Sequence, residues 1–184
     1  VEDAVAARRE PAVVVVPAQL RRSFWGAAPQ QHQLPFQVIT HDELALDHQL
    51  SDDGGSVHLA LTKDHYRLVV VDEAQAFRNP QTRRHQALLR LIGGSRKRVV
   101  LLSATPVNNS LWDLYHLISL FAESDNAFAE PPLGIASLER FFVRCGANDP
   151  SQLSPARLFS LLSRVAVSRP RSFIERYYPD DTIA

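Results

Sequence analysis

No methionine occurs in these 184 residues, cysteine occurs once, and the only lysines are Lys63 and Lys97. A chain without its initiator is expected to be a fragment or a processed piece of a longer protein. Cys145 alone excludes an internal disulfide and suits a reducing compartment. Long apolar runs are missing too. Val13–Val16 and Val99–Leu102 fall far short of the roughly 20 residues that cross a bilayer, so no membrane partner is expected. Val1–Glu10 is charged and lacks the apolar core of a secretory signal. The 7 histidines are scattered without cysteine or carboxylate at ligand spacing, which argues against a zinc site.

Acid is absent between Gln75 and Arg98, a stretch that holds Arg78, Arg83, Arg84, Arg90, Arg96 and Lys97. The whole chain is neutral, but unevenly so. Residues 1–64 carry nine acids and five bases, net −4; residues 65–100 carry two and eight, net +6; residues 101–184 carry nine and seven, net −2. The basic stretch reads either as a solvated helix face or as a surface for phosphates. Hydrophobic content of 45% and charged content of 22% are those of an ordinary globular protein with one sizeable core.

Short β-branched runs alternate with helical patterns. Val13–Val16, Gln37–Thr40, Leu68–Val71 and Arg98–Leu102 read as buried strands. Asp3–Arg9 reads as a helix tail, and Leu20–Trp25 and His41–Leu46 as short helices. Ser51–Ser56 is a loop by composition. Pro80–Ile92 is expected to be a helix with Asn79 as cap, Pro80 at the first position and Gly93 beyond the end. Leu111, Leu114, Tyr115, Ile118 and Phe121 share one helical face. Ile135–Arg144 and Pro155–Ser163, the latter capped by Ser154, complete the set. This order predicts an α/β fold, a mainly parallel sheet with flanking helices, and a small helical C-terminal portion. Ligands in such sheets sit beyond the carboxyl ends of the strands, where Thr40, Asp72, Glu73, Ser103 and Thr105 fall. Phe24, Trp25 and Phe36 could stack on bases or fill the core. Trp112 is open to two readings, a partner contact or partial burial.

Two of these strand ends carry chemistry. VVVDEAQAFRNP (Val69–Pro80) ends a buried run in adjacent carboxylates, and SATP (Ser103–Pro106) follows the next strand. Either alone is weak, but their order and the helix between them are specific. Together with VVLLSATPVNNSLWDLYHLISLF they resemble motifs II and III of the superfamily-2 helicase-like ATPases, and in particular the bacterial Swi/Snf-like branch. VVVVPAQL (Val13–Leu20) resembles motif Ia, VITHDEL (Val38–Leu44) motif Ib, and SRPRSFIERYYPD the basic segment that closes the first motor lobe.

The resemblance implies a RecA-like lobe of a nucleic-acid-stimulated motor that couples Mg-ATP hydrolysis to translocation on double-stranded DNA. Asp72 would hold Mg2+ through a coordinated water, and Glu73 would activate the attacking water. Gln75 would link the γ-phosphate side to Ser103 and Thr105, the coupling residues. Pro17, Ala18 and Gln19, with Thr40 and His41, would touch the nucleic-acid backbone without reading its sequence. A strand-separating helicase or restriction-type motor subunit, and a non-hydrolysing DNA- or protein-binding module, are the alternatives.

The phosphate loop G-x-x-x-x-G-K-[ST] is absent. Gly93–Lys97 imitates it but leads from a helix into a strand, the wrong order. The resemblance implies that the loop lies just upstream of Asp3–Arg9 and that a second RecA-like lobe, also absent, follows; the 184-residue chain alone is expected to be inactive. Residues 1–123 would then be the partial lobe, 124–165 a helical insertion, and 166–184 its end and the linker. A cytoplasmic, nucleoid-associated protein is expected if DNA is the track.

Overall fold

The computed structural model describes residues 10–26, 36–107 and 110–167. Four parallel strands form its centre: β1 (Ala12–Val16), β2 (Phe36–Thr40), β3 (Leu68–Val71) and β4 (Arg98–Leu101), in the order β2-β1-β3-β4. Registers run without a bulge, Val13 opposite both Gln37 and Val69, and Val69 opposite Val99. β1 and β3 are buried on both faces, which is why they read as unbroken valine runs rather than alternating ones. The period of two still sorts their side chains. Val13, Val15, Val69 and Val71 face one core with Leu44, Leu88 and Leu91, whereas Ala12, Val14, Val16 and Val70 face another with Phe36 and Trp25. β4, at the edge of the described sheet, is half-exposed throughout.

From β1 the chain steps to β2 on one side, then returns past β1 to β3 on the other. This reversal leaves a crevice beyond the carboxyl ends of β1 and β3, where α/β sheets bind ligands. Helix α1 (Ala18–Leu20) leaves β1 and runs into a π-helical turn, Arg21–Trp25. Helix α2 (His41–Leu46) follows β2 directly. Thr40 caps it by a full capping box: its hydroxyl accepts from the Glu43 N–H at 3.1 Å, and the Glu43 carboxylate accepts from the Thr40 N–H at 2.7 Å.

Helix α3 spans Arg83–Ile92 and starts later than the sequence suggested. Thr82 is its cap, accepting from the His85 N–H, while Asn79 instead closes a turn by accepting from the Gln81 N–H at 3.0 Å. An Asx turn competes with helix entry at such a position, and here it wins. Gly93 ends α3 as expected, but the left-handed residue is Gly94, at φ 85°. Lys97 then turns back on this segment, its Nζ donating to the Gly93 carbonyl at 3.0 Å and the Ser95 carbonyl at 3.2 Å. That closes off the imitation phosphate loop.

Helices α4 (Leu111–Ser119), α5 (Leu138–Arg144) and α6 (Pro155–Val165) share a third core around Leu114, Ile118, Phe142, Leu158 and Leu161. α5 begins three residues later than the apolar pattern from Ile135, because Ser137 supplies the cap to the Arg140 N–H. Ser154 precedes α6 without a capping bond from its side chain. Trp112 is half-buried by this helical module: its Nε1 donates to Asn148 Oδ1 at 3.2 Å and its ring meets Tyr115 edge-on at 5.2 Å. The helix read at Asp3–Arg9 and the basic segment Ser168–Asp180 lie outside the described residues.

The uneven charge of the sequence pairs up in space. Arg83 meets Asp53 at 3.0 Å, Arg84 meets Asp42 at 2.6 Å, Arg90 meets Asp52 at 2.5 Å and Arg98 meets Glu10 at 2.5 Å. The basic stretch from α3 to β4 therefore answers the acidic segment before it.

Candidate nucleotide and nucleic-acid site

At the carboxyl end of β3 the ladder continues one residue into the acidic pair. The Asp72 N–H donates to the Val15 carbonyl and the Ala74 N–H to the Leu102 carbonyl, each at 2.8 Å, so β1 and the residue that follows β4 both clamp the turn. Glu73, between those anchors, is forced into the left-handed region at φ 50° and ψ 49°. No other described non-glycine residue has positive φ. An L residue there is strained by about 1 kcal/mol or more, and such strain gathers at functional positions.

Asp72 and Glu73 are both half-buried. One oxygen of Asp72, Oδ1, accepts from the Glu73 N–H at 3.0 Å, and the other, Oδ2, accepts from Trp25 Nε1 at 2.8 Å. The side chain is thereby held in one orientation while each oxygen keeps a lone pair. Glu73 receives a bond from Gln75 Nε2, and Oε1 of Gln75 accepts from the Ser103 hydroxyl at 2.7 Å. Gln75 thus spans from the carboxylate at the end of β3 to the hydroxyl at the end of β4. Thr105 is exposed on the same connection, and among the described contacts the bridge runs through Ser103. Arg78 fastens the far side of the turn, donating to the backbone carbonyl of Gln75 at 3.2 Å and lying 3.7 Å from Asp113 on α4.

The donor set suits a magnesium ion. A single rigid carboxylate with a second one beside it fits a hard cation that keeps most of its waters and takes further oxygens from phosphate. Among the described residues no cluster of three or more His, Cys, Asp or Glu could hold a metal by protein ligands alone.

Other expected site residues fall into two groups. Pro17 is half-buried, and Ala18 and Gln19 are exposed on the outer side of α1. Thr40 and His41 are only 9% and 6% exposed, their side chains serving the fold. Thr40 is the cap, and His41 Nε2 donates to the Asp72 carbonyl at 2.9 Å with its ring edge-on to Phe77. Arg21 ties the π-helical turn after α1 to α2 by donating to both Glu43 oxygens at 2.5 Å. The three segments that follow β1, β2 and β3 are therefore bonded to one another around Asp72. Trp25, read from the sequence as a base-stacking or core residue, also bonds to Asp72, a contact that sequence reasoning missed. A half-buried indole N–H needs an acceptor, but nothing local could name one 47 positions away.

Burial lowers the His41 pKa from its ordinary 6.5; the bond to the Asp72 carbonyl opposes this, and the Arg84 charge adds to it. The unfolded chain then binds the proton first as pH falls, so this contribution to stability is complete above about 6.5 and lost below it. An NMR titration of the His41 ring should show a midpoint below 6.5, with the unfolding free energy declining as pH drops through that window. A midpoint at or above 6.5 would contradict the burial.

A family model described as the SNF2-related domain matches residues 38–182. The "Probable global transactivator" of Orgyia pseudotsugata multicapsid polyhedrosis virus is 28% identical over 125 residues, covering 58% of this chain and 24% of the viral protein. Among solved structures, the Sulfolobus solfataricus SWI2/SNF2 ATPase core in complex with dsDNA superposes with a TM-score of 0.59 and 20% identity. That match covers 91% of this chain and 35% of the Sulfolobus one, and at such identity it speaks to the fold, a RecA-like α/β lobe. This chain thus spans about a quarter of the viral relative's length. With well over half of its residues matched by the family model, the chain belongs to the SNF2-related domain family.

Proposed function

We propose that this chain is part of the first motor lobe of a Swi/Snf-like ATPase of the bacterial type, one that couples Mg-ATP hydrolysis to translocation on double-stranded DNA. The observation that carries this reading is the bridge Glu73–Gln75–Ser103 across the carboxyl ends of β3 and β4, with Asp72 fixed beside it. Glu73 lies where a carboxylate can orient and deprotonate a water next to a metal site without being the main ligand. Asp72 would hold the ion, which when bound with the nucleotide supplies neutralisation of phosphate charge. Gln75 and Ser103 would transmit: a rotation of the Gln75 amide toward or away from the nucleotide side would alter both its bond to Glu73 and its bond to Ser103. Thr105, exposed on the same connection, belongs to this coupling group.

The exposed Ala18 and Gln19 offer backbone N–H groups to phosphates beyond β1, and Pro17, which has no N–H, sets the turn that presents them. At the start of α2, His41 contributes through its backbone and Thr40 by holding the helix entry, its own N–H being given to Glu43. Contacts of this type fix position on a duplex and carry no sequence information. The Sulfolobus core was solved on dsDNA, which supports the same track here. A cytoplasmic location on the nucleoid follows from that reading.

The coupling test uses the complete motor that this reading implies, one with a phosphate-loop segment and a second lobe. Ser103→Ala and Thr105→Ala should lower translocation, read by displacement of a triplex strand, more than they lower ATP turnover. An equal loss of both would remove these residues from the coupling path. For the basic stretch, Arg83→Ala and Arg84→Ala should leave the salt dependence of duplex binding unchanged, since both guanidinium groups are already paired with carboxylates. A reduced salt slope would show that they contact phosphate instead.

A further inference from the structure

Trp25 sits where two surfaces meet. The π-helical turn Arg21–Trp25 adds one residue to the i→i+4 spacing, a feature often found at functional sites. Its outer side is open: Arg22 and Ser23 are exposed and Phe24 is 66% exposed, and Gln19 on the preceding helix α1 is exposed too. Its inner end is Trp25, whose ring stands edge-on to Phe36 with centroids 6.4 Å apart. The indole N–H points to Asp72 Oδ2 at 2.8 Å. Indole nitrogen is a donor only, so it can neither ligate a cation nor take a proton from one. It can fix the carboxylate that does. Arg21, at the other end of the turn, is held by Glu43. A shift of the turn is therefore opposed at Arg21 and expressed at Trp25.

We propose that Trp25 is a positioning residue. It holds Asp72 in the orientation that magnesium requires, and it carries occupancy of the outer face of residues 18–24 by the duplex sugar–phosphate backbone to that carboxylate. Duplex binding presses on the turn from outside, the indole moves against Phe36, and the Asp72 carboxylate follows its donor. The proposal rests on the DNA and magnesium reading above and adds a route by which the track reaches the metal site without passing through Ser103 or Thr105.

The chain has 2 tryptophans, so the variant Trp112→Phe leaves a single indole N–H to observe. In the 15N-labelled 184-residue chain carrying Trp112→Phe, that resonance should exchange slowly with solvent. Asp72→Asn should shift it, since an amide is a weaker acceptor than a carboxylate. A short DNA duplex is then added while the anisotropy of a dye on the duplex reports binding independently. Binding accompanied by a displaced indole resonance, with the displacement lost in Asp72→Asn, supports the proposal. Binding with the resonance unmoved overturns the coupling and leaves the DNA reading standing. No binding by the complete motor in the same anisotropy measurement removes the DNA reading and the coupling with it.

In the complete motor, Trp25→Phe keeps the aromatic contact with Phe36 and removes only the donor. The magnesium concentration for half-maximal turnover should rise roughly ten-fold, the lower end of the loss seen when a metal ligand is deprived of its hydrogen-bond partner. Turnover at saturating magnesium should recover. An unchanged magnesium requirement overturns the positioning role.

Discussion

Replacing Glu73 by Gln should reduce ATP turnover in the complete motor by about 1000-fold, within the usual range for a lost general base, while ATP binding survives. The change keeps the shape of the side chain and removes its charge and basicity. Gln75 can still bond to residue 73 through the new amide oxygen, so the bridge to Ser103 persists. A second substitution separates chemistry from structure. Glu73 is held in the left-handed region, where glycine is relaxed. Glu73→Gly should thus be equally inactive yet no less stable than the parent chain, with a gain of up to about 1 kcal/mol in urea unfolding. A residue placed there for stability would behave in the opposite way. Retained turnover in Glu73→Gln would remove Glu73 as the base.

The largest effect on folding is expected far from the carboxylates of the site. Asp47 is fully buried, and its carboxylate ends the N–H groups of three residues: Oδ1 accepts from Gln49 at 2.8 Å, and Oδ2 from His58 at 2.7 Å and Leu59 at 2.8 Å. These bonds fold the polar loop Ser51–Ser56 back on α2 and deliver Leu50 and Leu59 to the core under the sheet. Charge-assisted bonds to a buried acceptor are the strong kind, and removing the acceptor leaves donors without partners. Asp47→Ala should destabilise the chain by about 3 to 4 kcal/mol. Asp47→Asn, which keeps a single acceptor oxygen, should cost about half as much. Urea unfolding with matched m-values decides it. A loss below about 1 kcal/mol for Asp47→Ala would mean that water replaces the carboxylate and that the loop does not help hold the core.

How much of the fold was legible in the sequence depends on the range over which each signal acts. β1 and β3 were readable because a strand buried on both faces must be apolar at every position, and valine runs leave little choice. The acidic pair and SATP fell at strand ends for the same reason, since the runs stop where the sheet stops. The start of α3 was misjudged because Asn79 and Thr82 are both good caps, and only the closing of the Asn79 turn decides between them.

The remaining features depend on partners distant in sequence. Asp47 was one acid among several until His58 and Leu59 were seen to converge on it. Trp25 and Asp72 are 47 residues apart, and no periodicity links them. The arginines of α3 read as a possible phosphate surface because their acidic partners, Asp42 and Asp53, lie some 30 to 40 positions upstream. The left-handed backbone at Glu73 is equally nonlocal in origin. It arises because Asp72 is bonded to β1 and Ala74 to the residue that follows β4.

The central claim is that the carboxylates and amide gathered beyond β3 hydrolyse ATP in response to duplex DNA. The direct test is the initial rate of magnesium-dependent ATP hydrolysis by the complete motor, with and without duplex DNA, alongside the Glu73→Gln variant. The account predicts a rate that duplex DNA raises several-fold and that Glu73→Gln abolishes under both conditions. A rate indifferent to duplex DNA, or one that survives in the variant, would contradict it.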